Sequence, residues 1–168
     1  YSGEWNVQLS EKLILHRPLA KYELITNDIN EFFGRKTKRN KSVGASPLDE
    51  YRVKISYRGY FPMGFDALTD RPDDAKTGIA YDATLTQITD TSAVIAFDHI
   101  LTNGTDSFVA IDIKIYDGQG NLVNEHTGIQ IPYRRNVITK VYGNFLTKSY
   151  GSGVVIDPGF EGEFNIYL

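Results

Sequence analysis

A chain of 168 residues with 41% hydrophobic residues is long enough for one domain with its own core, and eleven Tyr and nine Phe favour half-buried pleated surfaces. It has no cysteine, which excludes disulfides, thiolate zinc sites and cysteine nucleophiles. A net charge of −3 gives no footing for nucleic acid, and no apolar run approaches the roughly 18 residues of a membrane-spanning helix.

In chain order, the N-terminal WNVQLSEKLIL alternates Trp5, Val7 and Leu9 and reads as a strand. NDINEFFG follows, with Asp28 as N-cap, Glu31 completing a capping box, Ile29, Phe32 and Phe33 on one face, and Gly34 closing a short helix. Such a helix is too short to stand alone and must pack on a sheet. Gly34 to Glu50 reads as a long loop whose basic run, Arg35 to Lys41, makes an exposed and protease-sensitive segment.

YRVKISY puts Tyr51, Val53, Ile55 and Tyr57 on one face and charges on the other, a half-buried strand. Phe61 to Gly78 reads as a second long loop. Its Asp66, Asp70, Asp73 and Asp74 invite a calcium site, but they lack the D-x-D-x-D-G order, so a solvated acidic loop is the expectation. IAYDATL alternates Ile79, Tyr81, Ala83 and Leu85. SAVIAFDHILT is apolar at nearly every position and reads as a central strand covered on both faces.

TNGTDS, built on Asn103-Gly104, and YDGQGNL, with Gly118 and Gly120 supplying positive φ, read as hairpin turns around IDIKIY. IDPGF suits a type II turn, and GEFNIYL alternates Phe164, Ile166 and Leu168 at the C-terminus. Eight or so short strands with one short helix imply a single antiparallel β-sandwich over residues 1–168.

Chemistry is sparse. His16, His99 and His126 have no metal-ligand spacing, and no nucleophile elbow, P-loop or dinucleotide motif is present. No enzyme, metal or cofactor is expected. The densest polar cluster lies in IPYRRNVITKVYGNFLTKS, where Arg134, Arg135, Asn136 and Lys140 fall together in a strand-like segment. An anion site, a processing site and a structural corner all call for such a cluster. Pro132 marks a strand end or edge, Asn136 suits a bend and Arg135 offers a rigid fork to carbonyls or a carboxylate, so the corner needs no ligand and is preferred.

That stretch resembles the late-chain signature of the Bacteroides-type fimbrillin-like lipoprotein family, fimbrial subunits or anchors, at Ile131, Pro132, Arg135, Asn136, Thr139, Gly143, Asn144, Leu146 and Thr147. LHRPLAKYELITNDINEF and GYFPMGFDALTDRPDD are similar to earlier segments of the same family. The resemblance implies a transthyretin-like Greek-key sandwich, the C-terminal domain of a longer precursor. It also implies export to the outer-membrane surface or a fimbria, with a lipid anchor carried outside this chain. Partners would then be other fimbrial subunits joined by strand pairing, with the strand bearing Phe164, Ile166 and Leu168 as the natural assembly strand. The alternative is a carbohydrate- or host-ligand-binding module of a surface lipoprotein, resting on Tyr57, Tyr60, Tyr81 and Tyr133 as stacking platforms and on the two long loops.

Overall fold

The structure, a computed structural model, describes residues 17–36, 48–150 and 164–168. In chain order its elements are β1 (Leu19–Thr26), α1 (Ile29–Lys36), β2 (Arg52–Arg58), β3 (Phe61–Asp66), β4 (Arg71–Lys76), β5 (Ala80–Thr84) and β6 (Thr86–Gln87). There follow β7 (Ala93–Leu101), β8 (Ser107–Tyr116), β9 (Leu122–Tyr133), β10 (Ile138–Gly143) and β11 (Phe164–Tyr167). A five-stranded sheet has the order β11-β10-β1-β7-β6, a four-stranded sheet the order β5-β2-β8-β9, and β3-β4 form a separate ribbon.

Period-two alternation builds the core between the two larger sheets. Val53, Ile55 and Tyr57 of β2 face inward and are buried, as the sequence predicts, and Ile111, Ile113 and Ile115, which alternate along β8, are buried in the same way. Tyr22 and Leu24 of β1, Ile95 and Ile100 of β7, and Val141 of β10 meet them from the other sheet. Ile29 and Phe32 of α1 join the same cluster, with Phe32 edge-on to both Phe33 and Tyr51. The fold is thus an all-β sandwich with one short helix.

Several expectations need correction. The larger sheet is mixed: β10 runs parallel to both β1 and β11. Alternation fixes which side chains are buried but carries no strand direction. Asn103-Gly104 does not join a hairpin, because β7 and β8 lie in different sheets; Gly104 (φ 92) and an Asn103 side chain accepting the Thr105 N–H turn the chain across the sandwich instead. Residues 61–76 of the expected loop are a β-hairpin, β3–β4. Gly34 lies inside α1, not at its close. In the turn between β8 and β9, Gly120 takes positive φ and Gly118 does not, and the Asp117 carboxylate receives the Gln119 and Asn121 N–H groups. Strand β7 is covered on both faces only in its first half, since Phe97 and His99 are exposed. The alternating strand at residues 5–9, the basic run beyond Lys36 and the IDPGF turn lie outside the described residues.

One bulge has a large effect. Across β8–β9, Ile111 faces Ile129 while Ile113 faces His126, so Asp112 stands opposite two residues, and Gly128 takes φ 66. The Asp112 carboxylate accepts the Gly128 N–H at 2.7 Å. The extra residue flips side-chain parity, so His126 and Ile129, three apart, both point into the core.

Candidate functional site

The Arg-Asn half of the signature forms a corner between the two sheets. Among the described residues strand β9 is the edge of its sheet; it ends at Tyr133, which suits Pro132, a residue with no N–H to offer. The chain turns through Arg134–Val137, closed by Val137 N–H to Arg134 C=O. Asn136 takes φ 61, a left-handed conformation that Asn tolerates better than most residues, and its N–H bonds Leu19 C=O at 2.9 Å. Arg135, with only 12% of its side chain exposed, donates to Thr102 C=O and to Asp70 Oδ1 at 2.6 Å. Arg134 grips Asp106 with two nitrogens, which holds that carboxyl below the usual carboxylate range. Both guanidinium groups therefore engage the protein's own carboxylates, tying this corner to the β7–β8 connection and to the tip of hairpin β3–β4. Thr139 Oγ donates to Pro132 C=O at 2.7 Å and stitches β10 to β9.

The Gly-Asn-x-Leu-Thr half forms a second joint. Asp28 is buried, and its carboxylate accepts from Thr26 Oγ, Thr147 N–H and Thr147 Oγ. Thr26 Oγ in turn accepts the Phe145 N–H. Leu146 and Phe145 are buried, Asn144 C=O accepts the Lys148 N–H, and a Cβ on Gly143 would stand 3.0 Å from the Phe145 ring. His126 completes the joint: Nε2 meets Phe145 C=O at 2.9 Å and Nδ1 accepts the Tyr150 N–H at 3.1 Å, a pairing that puts the proton on Nε2. The Tyr150 ring stacks on the imidazole. Burial pushes the His126 pKa down, because a charged imidazole would lose its water.

A third polar cluster was not foreseen from the sequence. Tyr22 OH lies 2.8 Å from Tyr57 OH and 2.9 Å from Tyr81 OH, Tyr57 OH donates to Asp98 Oδ2 at 2.7 Å, and Tyr81 OH donates to Phe97 C=O at 3.1 Å. Burial pushes the Tyr22 and Tyr57 phenols far above the ordinary tyrosine range and Tyr81 up to about 12. No buried side-chain polar atom among the described residues lacks a partner, so these groups hold strands together across the sandwich.

The aromatic residues expected to stack on sugars divide accordingly. Tyr57 is buried in that network, Tyr81 and Tyr133 are half-buried, and Tyr60 is 78% exposed. Three of the four aspartates of the acidic segment, Asp66, Asp70 and Asp74, serve a turn or an ion pair. Asp66 accepts from Thr69 Oγ and from the Leu68 and Thr69 N–H groups, which holds its carboxyl low; Asp70 meets Arg135 and Asp74 meets Lys76. Among the described residues no three His, Asp or Glu side chains converge as a cation site. The strand bearing Phe164, Ile166 and Leu168 forms β11, which among the described residues is the edge of the larger sheet, paired on one side with β10; Leu168 N–H, just beyond it, bonds Tyr142 C=O at 2.8 Å. Tyr167 is exposed and its ring stacks on Tyr142.

The model of a family of unknown function (DUF6562) matches residues 3–167 of the chain. No curated protein and no solved structure matches it.

Proposed function

We propose that this chain, which belongs to the family of unknown function DUF6562, is a non-enzymatic structural or adhesin domain of the bacterial cell surface that assembles into, or anchors, fimbriae. One observation carries the reading: β11, four residues long at the C-terminal end, pairs in parallel with β10 and has no strand on its outer side among the described residues. A short parallel ladder is a weak attachment, and an edge strand is a template for another chain. The fimbrillin-like signature at Pro132 to Thr147 supports the same reading. In it the domain is exported, and its partners are other subunits that add strands to the larger sheet.

The test is strand exchange. A synthetic peptide spanning residues 161–168 is mixed with the purified domain, and binding and oligomer formation are followed. The reading expects the peptide to bind and the C-terminally trimmed domain to accept it more tightly. No binding by either form, together with unchanged surface fibres on cells lacking the protein, would sink it. Among the described residues, a glycan- or host-ligand-binding role draws on the exposed Tyr60, Phe97 and Phe108. A glycan array with no signal above background removes that role.

A further inference from the structure

Among the described residues, strand β7 has an outer edge that is nearly bare of strand. It pairs with β1 along Ala93–Leu101, but β6 covers only Ala93 and Val94 on the other side. The direction of its free groups follows from β1. Lys21 gives its N–H to Val137 C=O, so Lys21 and Glu23 direct their backbone groups to β10 and Tyr22 directs its own to β7. His99 and Phe97, opposite Lys21 and Glu23, therefore direct theirs away from β1, to the open side.

Two of those groups are occupied by side chains. Phe97 C=O accepts Tyr81 OH, and His99 N–H donates to Asp98 Oδ1 at 2.7 Å. Asp98 is itself held by Tyr57 OH. An added strand of either direction would need at least one of these two groups. Hairpin β3–β4 also lies beside β7. Its base is fixed by Phe61 stacking on Tyr57 with ring centroids 4.0 Å apart, and its tip by Asp70 on Arg135, which also holds Thr102 C=O just past β7. Among the described residues no ladder joins β3 to β7. Strand β3 of the ribbon thus lies next to β7 without extending its sheet.

We propose that Tyr81, Asp98 and the β3–β4 ribbon form an edge guard that prevents β7 from pairing with β7 of a second copy. A second copy is the fitting occupant, because an antiparallel pair about a two-fold axis matches the edge to itself, and the Ile95–Leu101 stretch carries only one carboxylate, already engaged. The inference does not rest on the fimbrial reading, since it concerns a different edge and holds for an isolated domain.

The experiment compares the parent with Tyr81→Phe and with Tyr81→Phe/Arg135→Ala, the latter also freeing the ribbon tip. Each removed hydrogen bond is worth about 1 kcal/mol, so self-association by sedimentation equilibrium should tighten at least about fivefold per change. The chain has no cysteine, so His99→Cys in each background reports the contact directly through disulfide-linked dimers. Faster cross-linking in the variants than in the parent is expected. Should the double variant fail to fold, Tyr81→Phe alone decides, since it deletes one oxygen. Parent-like association and a parent-like cross-linking rate in folded Tyr81→Phe overturn the proposal.

Discussion

Replacing Asp28 by Ala tests the joint that the Gly-Asn-x-Leu-Thr segment builds. Its buried carboxylate receives three hydrogen bonds, from Thr26 Oγ, Thr147 N–H and Thr147 Oγ. Bonds to a charged group contribute about 1.5–3 kcal/mol each, but removing the carboxylate also removes a desolvation penalty of several kcal/mol. The two hydroxyls can rotate to other acceptors. The Thr147 N–H cannot, and an orphaned amide costs about 1–3 kcal/mol. With one lost charge-assisted bond the gross loss is about 2.5–6 kcal/mol, and the relieved desolvation brings the net loss down to about 3 kcal/mol. For a domain of this size that corresponds to a fall in Tm of roughly 6–12 °C. Asp28→Asn keeps an acceptor oxygen and should lose about half as much. Chemical denaturation of both variants, paired with Thr147→Val in a double-mutant cycle, measures the joint as a unit. A Tm for Asp28→Ala within about 1 °C of the parent, or strict additivity with Thr147→Val, would refute the reasoning.

Gly143→Ala should cost about 1–3 kcal/mol, because the new methyl meets the buried Phe145 ring at 3.0 Å, whereas Gly64→Ala should be nearly neutral, because only the movable end of Asp73 stands in its way; melting curves separate the two. His126 has a folded-state pKa below its unfolded value of about 6.5, so the unfolded chain takes up the proton first. Stability should therefore be full above about pH 6.5 and fall as the pH drops towards the folded pKa, and His126→Gln should flatten that slope in urea titrations run across the window. Tyr22, Tyr57 and Tyr81 have raised folded-state pKa values, so their contribution is present below about pH 10 and is lost above it. Tyrosinate absorbance should show three phenols ionising late or only on unfolding, and an early, uniform titration of all eleven tyrosines would contradict the network.

What the sequence made legible follows from which interactions are local. In β2 and β8, apolar residues alternate with charges, and the burial pattern follows them position by position. Hairpin β3–β4 was unreadable because FPMGFD and RPDDAK carry two prolines and three aspartates with no alternation. What positions it is remote: Phe61 on Tyr57 and Asp70 on Arg135. The Asn103-Gly104 turn misled because the same turn chemistry serves a hairpin and a crossing between sheets. The inward aim of His126 depends on a bulge, whose one local trace is Gly128. The tyrosine cluster had no trace, since Tyr22, Tyr57 and Tyr81 come from three strands and meet only when the sheets stack. Arg135 and Asn136 were legible as a corner by residue type, but the carboxylates that engage Arg134 and Arg135 lie far away in sequence.

The parallel placement of β10 also sets a schedule for folding. Strand β1 lies near the start of the described chain, and its two neighbours arrive at different times: β7 midway, β10 only after most of the chain has been made. Until Ile138–Gly143 leaves the ribosome, β1 has one flank unpaired, and β11, made later still, docks only on a β10 already in place. Contacts that join such distant parts of a chain close late and slowly. The half-made protein thus carries a waiting seam, and the step that seals it should govern both its folding rate and its exposure to premature association.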